Sequence, residues 1–388
     1  MKIIFKNAKI VFPDKVQEGS IVVQDGKIQG FNLNCNAENT KIIDLQGAYI
    51  LAGFIDIHVH GGGGADFMDG SIEAFETAIQ THLSHGTTTI YPTTMSATME
   101  EIEKTFAIFR SFKNSGKCVA KAPGLHLEGP FLNPKMCGAQ RQDLIICPQE
   151  KHVRFLQENA DIIARITCAP EMEGVMQMAA ALSPYNIQFS MGHTNATYAQ
   201  AEEGAKNGFS SVTHLYCATS GFHKVDQKVH IGVTQAAYGL ENLYAELIGD
   251  GCHVPKELLN LVVKFKGVEK VCLVTDAMRA AGTKASESYL GSIAPENRVI
   301  IDDGVAKLPD KSSFAGSIGT MDRAFKFAVE NAGLSLHQAS KLVSLTPATL
   351  MGIDGSTGSI AVGKDADLVV MNKDLYVQQV YVQGERVV

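Results

Sequence analysis

The stretch Gly53-Phe-Ile-Asp-Ile-His58-Val-His60-Gly-Gly-Gly-Gly64 joins an apolar run to two histidines and four glycines. Side chains alternate between the faces of a β-strand, so His58 and His60 are predicted to project together from a strand end. The glycines predict a loop whose backbone another group can approach closely. Two neighbouring imidazoles favour the start of a metal site. From this stretch alone, two histidines in a turn, hydrogen-bonded to the backbone, are an equal alternative.

A pattern of short apolar run, polar end and helical segment recurs through the middle of the chain. Eight runs, bounded by turn residues and too short for helices, are predicted as strands: 53–60, 87–94, 122–129, 166–171, 187–194, 211–216, 244–253 and 270–278. The intervals carry helical patterns, clearest in 71–85, 98–115 and 198–207, and 320–332 and 335–344 follow an insertion at 281–310. Eight such units over about 225 residues match a (β/α)8 TIM-like barrel, so the predicted fold class is α/β.

The two ends of the chain have a different character, with β-rich runs separated by turn dipeptides. Near the N-terminus the runs are 2–5, 9–12 and 20–23, with turns at Pro13-Asp14 and Asp25-Gly26. Residues 358–371 and 380–388 repeat this texture. We predict a small β-sandwich domain built from residues 1–50 and 351–388, interrupted by a catalytic barrel of residues 51–350.

Active sites of such barrels lie at the carboxyl ends of the strands. Histidines and carboxylates collect at the predicted ends, and no lysine or arginine is predicted in a strand interior. The residues concerned are His58, His60, His126, Glu128, His193, His214, His253 and Asp276. Imidazole and carboxylate suit zinc or a similar first-row divalent ion. The clustering therefore predicts a metal site.

Glu128, His193 and His214 are predicted to form a three-ligand metal site with room for water. His58 and His60 are expected to add a second ion, with Glu128 as the bridge. A bound metal brings the pKa of its water close to neutrality, so hydroxide becomes available as a nucleophile. We expect Zn²⁺, as one ion or two, with Fe²⁺ and Mn²⁺ as alternatives for the same ligands.

Three more residues at these ends have predicted roles. Asp276 is expected to take a proton from the water and pass it to a leaving group; a structural metal ligand or N-cap is the alternative. His253 is expected to donate a hydrogen bond to a developing oxyanion, with a supporting or core histidine as the alternative. His126 shares a strand face with Glu128. It is expected either to support the metal ligands or to contact the metal directly, and the two alternatives are equally well founded.

In this order and spacing, the motifs resemble those of the amidohydrolase superfamily, and within it the N-acetylglucosamine-6-phosphate deacetylases, over nearly the full length. They are Gly53-Phe-Ile-Asp-Ile-His-Val-His-Gly, His126-Leu-Glu-Gly-Pro-Phe, Met191-Gly-His-Thr, Thr213-His-Leu-Tyr, Asp250-Gly-Cys-His, Leu273-Val-Thr-Asp-Ala, Phe314-Ala-Gly-Ser and Gly363-Lys-Asp-Ala-Asp-Leu-Val. The resemblance implies hydrolysis of the acetamide of a small amino-sugar substrate. It assigns Glu128, His193 and His214 to the metal, and Asp276 to base and then acid catalysis. It also assigns His253 to the substrate carbonyl and implies a homodimer or higher homo-oligomer.

The sequence departs from this family after the sixth predicted strand. Cys217 stands where the family has asparagine, and the arginine that grips the sugar phosphate is absent. An arginine forms a bidentate clamp, whereas a lysine offers a point charge. The predicted replacements, with solvated surface as the alternative, are His223, Lys224, Lys228 and Arg279. Together with Cys217, the residues Ala218, Gly138 and Ala139 complete the predicted substrate-binding set.

The missing arginine keeps other substrates open: another N-acetyl sugar or sugar phosphate, or an N-acyl amino acid. A non-catalytic scaffold relative is a further alternative, although every predicted ligand and Asp276 are present. A formal charge of −7 without a dense basic run excludes a nucleic-acid surface. No apolar run approaches the roughly 20 residues of a membrane helix, and lysines interrupt the N-terminus too often for a signal peptide. Eight single cysteines predict reduced, buried thiols in a cytoplasmic protein.

Overall fold

A parallel eight-stranded sheet forms the centre of the computed structural model, which describes residues 2–33 and 40–388. Its strands are paired in chain order: β1 (Phe54–Val59), β2 (Thr87–Thr94), β3 (Leu125–Glu128), β4 (Ile163–Cys168), β5 (Gln188–Met191), β6 (Phe209–Val212), β7 (Tyr244–Ile248) and β8 (Val271–Val274). Val59 of β1 forms a parallel bridge with Ala277, just beyond β8. The sheet is therefore a closed barrel, and the predicted α/β barrel fold is confirmed.

Helices alternate with the strands and cover the barrel. They are α1 (Ile72–Ser84), α2 (Met99–Asn114), α3 (Glu150–Glu158), α4 (Val175–Leu182), α5 (Tyr198–Lys206), α6 (Val233–Gly239), α7 (Lys256–Lys266), α8 (Met321–Lys326), α9 (Leu336–Ser340) and α10 (Thr346–Leu350). The last three are linked by π-helical turns at Phe327–Asn331 and Lys341–Leu345, and 3₁₀ turns occur at Pro134–Met136, Gln142–Leu144, Ser183–Tyr185, Val268–Lys270 and Pro295–Asn297. In α1, Phe75, Ile79 and Leu83 are buried at four-residue spacing, so one face packs on the barrel. Thr98 begins α2 with a capping box to Glu101.

Strands from both chain ends form one continuous sheet beside the barrel. Its order is Glu385–Arg386, Val377–Val382, Leu368–Met371, Tyr49–Ala52, Lys2–Val11, Val16–Gln24 and Lys27–Phe31, with Thr40–Asp44 also paired to Lys2–Val11. The predicted runs 2–5 and 9–12 are a single strand with a register shift between Phe5 and Ala8. Phe5 and Tyr381 meet edge to face at 4.8 Å, so residues from the two ends share a core.

Smaller sheets lie at the carboxyl ends of the barrel strands. Their strands are Gly61–Gly62 with Ala65–Asp66, His223–Val225 with Lys228–His230, and Glu287–Tyr289 with Arg298–Asp302 and Val305–Lys307. The last of these falls within the predicted insertion at 281–310. Its residues Leu290, Val299 and Ala306 form an apolar cluster with Met95 and Met278, which fixes it over the mouth of the barrel.

Arg165 in β4 corrects the expectation that strand interiors carry no arginine. Its guanidinium is fully buried and forms an ion pair with Glu246 of β7 across the barrel. A buried charge needs a partner of opposite sign, and the pair satisfies that need inside the barrel. The predicted strand, 166–171, begins one residue after Arg165, so the sequence did not place Arg165 inside the barrel.

The cysteine prediction is correct in part. Cys35 lies outside the described residues, and the other seven cysteines are free. Cys168 and Cys272 are buried, but Cys147 and Cys252 are exposed, so uniform burial was wrong. No helix within the described residues is long and apolar enough to cross a membrane.

Candidate active site

His58 and His60 lie side by side at the end of β1, as the alternation of strand side chains requires. Their Nε2 atoms are 3.2 Å apart, and both side chains are buried. Two of the glycines that follow are required because neighbouring atoms leave no room for a side chain. A Cβ on Gly61 would lie 2.3 Å from the backbone oxygen of Ala65, and one on Gly62 would lie 2.9 Å from His82 Nε2.

Glu128 at the end of β3 is the centre of the cluster. Its Oε1 lies 3.3 Å from His58 Nε2, 3.2 Å from His193 Nε2 and 3.0 Å from His214 Nε2. Its Oε2 lies 3.3 Å from His60 Nε2. Zn–N bonds of about 2.0–2.1 Å place tetrahedral ligand atoms about 3.3 Å apart, so this spacing suits a metal ion. Two buried triads result, both containing Glu128: with His58 and His60, and with His193 and His214.

Backbone contacts set the imidazole tautomers. His193 Nδ1–H donates to the carbonyl of Met136 at 2.9 Å, and His214 Nδ1–H donates to the carbonyl of Cys217 at 3.0 Å. In the neutral imidazoles both Nε2 atoms are then free of protons and available to a metal, which is the usual arrangement of ligating histidines. His193 and His214 also have positive φ angles of 47° and 30°, a cost that non-glycine residues bear where the site requires it.

The electrostatics of the cluster fit a cation. Burial alone would raise the pKa of Glu128, but the charges of His58 and His193 hold it well below its usual value. Burial opposes charge on the imidazoles too, yet hydrogen bonds to the carboxylates raise the pKa of His60 to about 10 and that of His214 to about 9. Protons are therefore drawn to the positions where a metal ion would bind.

Asp276 follows β8 and reaches the same cluster. Its Oδ1 lies 3.2 Å from His60 Nε2 and 3.4 Å from His58 Nε2. Burial would raise the pKa of Asp276, but electrostatic attraction to His58 and the hydrogen bond to His60 lower it. Asp276 therefore presents a carboxylate to anything bound between these side chains, as a proton acceptor must.

His253 is held by Asp250 of the same loop after β7. Its Nδ1–H donates to Asp250 Oδ2 at 2.7 Å, and Asp250 Oδ1 accepts the backbone N–H groups of Cys252 and His253 at 2.8 and 2.9 Å. The imidazole is thus oriented by a carboxylate. Because Nδ1 is used, His253 Nε2 is the atom that remains for a ligand.

His126 does not join the cluster of ligand atoms. Its Nε2 lies 2.7 Å from Thr167 Oγ1 and its Nδ1 3.2 Å from Thr93 Oγ1. Its ring stands edge-on to that of His58, with centroids 4.7 Å apart. Of the two interpretations, support beneath a ligand agrees with these contacts, and direct metal contact does not.

Gln140 is a site residue that the sequence analysis missed. Its Nε2 donates to Glu128 Oε2 at 2.7 Å, while its Oε1 accepts the backbone N–H of Ser96 at 2.9 Å. The side chain therefore orients the central carboxylate. The only sequence signal was its place directly after the predicted residues Gly138 and Ala139.

A cavity of about 330 Å³ opens over these residues, near the lower end of the range for small-molecule sites. It is lined by His60, Met95, Glu128, Gly138, Ala139, Gln140, His193, His214, Tyr216, Cys217, Ala218, Ile248, His253, Asp276, Leu290, Ser313, Phe314 and Gly316. Four residues of the predicted substrate set, Gly138, Ala139, Cys217 and Ala218, are among them. No lysine or arginine of the described chain lines it.

The predicted phosphate-binding cations lie elsewhere. His223, Lys224 and Lys228 are exposed on the hairpin after β6 and do not line the cavity. Arg279 is mostly buried and binds Asp69 through both terminal nitrogens, at 2.6 and 2.7 Å. With its guanidinium held in this way, Arg279 does not fit the predicted role.

Comparison with known proteins agrees with this geometry. Residues 49–387 match the amidohydrolase family. N-acetylglucosamine-6-phosphate deacetylase of Bacillus subtilis (strain 168) is 33% identical over 379 residues, covering 96% of this chain and 93% of the relative. The crystal structure of N-acetylglucosamine-6-phosphate deacetylase from Pasteurella multocida superposes with a TM-score of 0.92 at 32% identity, covering 100% of both chains. A mutant of the Mycobacterium smegmatis deacetylase in complex with N-acetyl-D-glucosamine-6-phosphate gives a TM-score of 0.89 at 27% identity, covering 100% of this chain and 99% of that one.

Proposed function

Since this chain belongs to the amidohydrolase family, we propose that it is a metal-dependent hydrolase that converts N-acetylglucosamine 6-phosphate to glucosamine 6-phosphate and acetate. The observation that carries the proposal is the convergence of four imidazoles on Glu128, with the Asp276 carboxylate 3.2 Å from one of them. The relatives from Bacillus subtilis and Pasteurella multocida, 33% and 32% identical to this chain, are deacetylases of this substrate.

Asp276 acts first as a base and then as an acid. When bound by the glutamate and the histidines, a divalent ion would supply a water that ionises near neutral pH; we propose Zn²⁺, with Fe²⁺ or Mn²⁺ as alternatives. Asp276 accepts a proton at Oδ1 as water attacks the acetamide carbonyl. It returns that proton to the amine nitrogen as the C–N bond breaks.

His253 binds the carbonyl oxygen of the acetamide through Nε2. With Nδ1–H donated to Asp250, Nε2 donates a hydrogen bond only when both ring nitrogens carry a proton. A donor fixed in this way favours the negative charge that develops on the oxygen during attack. Gln140 meanwhile holds Glu128 in place through its amide.

An unphosphorylated N-acetyl sugar is the second candidate substrate. It is favoured by one observation, that no lysine or arginine of the described chain lines the cavity. The two candidates are separated by measuring acetate release from three substrates: N-acetylglucosamine 6-phosphate, N-acetylgalactosamine 6-phosphate and unphosphorylated N-acetylglucosamine. We expect N-acetylglucosamine 6-phosphate to be hydrolysed fastest. Equal rates with and without phosphate would show that the enzyme does not select a phosphorylated substrate.

Metal dependence is tested by replacing one ligand. His193→Ala is expected to lose bound metal and activity together, whereas His337→Ala, on α9 and away from the cluster, should keep both. Metal content and acetate release are measured on the same samples. A protein without metal, indifferent to chelators, would favour the scaffold interpretation instead.

Location and assembly are part of the same proposal. Free thiols at all seven described cysteines support a reducing compartment, and we propose a cytoplasmic enzyme. We also propose a homodimer or larger homo-oligomer, which light scattering on the purified protein measures directly.

A further inference from the structure

Phe314 is an aromatic residue that stays exposed at the mouth of the catalytic cavity. It lines the cavity beside His253, and 41% of its surface remains accessible. We propose that its ring is the platform on which the pyranose ring of the substrate lies. The inference deepens the proposed function and rests on it, because it names the part of the substrate that this side chain selects.

The backbone holds Phe314 in this place from both sides. Phe314 forms an antiparallel bridge with Lys307 of the small sheet over the barrel mouth. The N–H of Leu308 donates to the carbonyl of Ser313 at 3.0 Å, and the N–H of Ala315 donates to that of Ala306 at 2.9 Å. These bonds hold the backbone of Phe314 against the strand Val305–Lys307.

The ring also has a fixed relation to the group that binds the acetamide. Its centroid is 4.7 Å from that of the His253 imidazole, with 58° between the planes. In a 2-acetamido sugar the carbonyl carbon is joined to the ring through one nitrogen, a separation of about 2.4 Å. An acetamide oxygen bound at His253 therefore brings the sugar ring next to Phe314.

Part of the remaining wall is apolar and carries no cation. Met95, Ile248 and Leu290 present apolar surface, and the described lining residues include no lysine or arginine. The electron-rich face of an aromatic ring attracts the positively polarised C–H groups on the apolar face of a pyranose. Tyr216 also lines the cavity, but its hydroxyl is hydrogen-bonded to that of Tyr238; among the described lining residues, Phe314 is the one that presents a phenyl ring without a polar group.

The test compares two substrates that differ in the ring. Phe314→Leu and Phe314→Ala are assayed with N-acetylglucosamine 6-phosphate and with O-phosphoryl-N-acetylethanolamine, which keeps the acetamide and the phosphate. We expect KM for the sugar to rise about fivefold in the alanine variant, less in the leucine variant, with kcat within about twofold. KM for the ring-free amide should not change. Phe265→Leu is the matched control, since Phe265 on α7 is 65% exposed and lies outside the cavity.

Equal effects on both substrates, or none on either, would refute the proposal that the pyranose ring lies on Phe314. A fall in kcat for both would show that the ring acts only by holding His253. Calorimetric binding of glucosamine 6-phosphate to the same proteins separates this inference from the proposed function. If the wild type binds the sugar through Phe314 but releases no acetate, the platform stands and the deacetylase proposal fails; if it neither binds nor hydrolyses the sugar, both fail.

Discussion

Replacing Asp250 by asparagine isolates one bond in the active site. The asparagine keeps Oδ1, which accepts the N–H groups of Cys252 and His253 at 2.8 and 2.9 Å, so the loop after β7 retains its shape. It replaces Oδ2, the 2.7 Å partner of His253 Nδ1–H, with an N–H donor. A hydrogen bond to a charged group contributes about 1.5–3 kcal/mol. If that bond forms fully with the imidazolium in the transition state, its loss lowers kcat about 10- to 150-fold.

The assay is acetate release at saturating substrate, with thermal unfolding followed on the same protein. Asp250→Asn should unfold close to the wild-type temperature because the backbone bonds survive. Asp250→Ala is the matched comparison: it loses those bonds as well and should be less stable by about 1–2 kcal/mol. A kcat equal to that of the wild type in a normally folded Asp250→Asn protein would refute a role for the carboxylate in setting His253.

Three further predictions concern the cluster and the barrel interior. Asp276→Asn should lower kcat by about 10²- to 10⁴-fold while the metal stays bound, as metal analysis can check; wild-type rates would exclude it as the base. The raised pKa values of about 10 for His60 and about 9 for His214 mean that both imidazoles are protonated at pH 7 before a metal binds. Metal affinity should therefore rise with pH by about tenfold per unit at each site, up to about pH 9 where His214 is a ligand and up to about pH 10 where His60 is one. Calorimetry in two buffers should show the released protons, and a flat profile would contradict this. Arg165→Met should destabilise the fold by about 3–5 kcal/mol because Glu246 is left as an unpaired buried charge. Adding Glu246→Gln should recover part of that loss, as measured by chemical denaturation. A double variant as unstable as Arg165→Met would contradict the interpretation that an unpaired Glu246 causes the loss.

The convergence of these histidines on Glu128 could be predicted because barrel geometry reduces it to finding the end of each strand. Strand ends can be read from apolar runs, and all eight meet at one edge of a closed parallel sheet. His58, His193 and His214 are far apart in sequence, yet each is the polar residue at the end of its own run. Knowing that the strands are neighbours was enough to bring these side chains to Glu128.

The residues that escaped prediction depend on contacts that no local pattern encodes. Gln140 sits in an irregular loop, and its role is defined by Glu128, 12 residues away, and the backbone of Ser96, 44 residues away. Arg279 has the charge expected of a phosphate ligand, but Asp69, 210 residues earlier, takes its guanidinium. Sequence gives the charge of a side chain, whereas its availability is decided by such long-range partners.

The hydrogen bonds that close the barrel are also the ones that position Asp276. β8 ends at Val274, and the sheet is closed by the residues after it: the N–H of Asp276 donates to the carbonyl of His58 at 2.9 Å, and the N–H of His60 donates to that of Ala277 at 2.8 Å. Asp276 has a φ of 47° there, and its own carbonyl accepts the N–H of Ser317 at 2.8 Å. These bonds hold a conformation that an aspartate seldom adopts. Because the backbone that joins the last strand to the first also carries the proposed base, Asp276, and the proposed metal ligand His60, loosening this closure should reduce turnover before it unfolds the barrel.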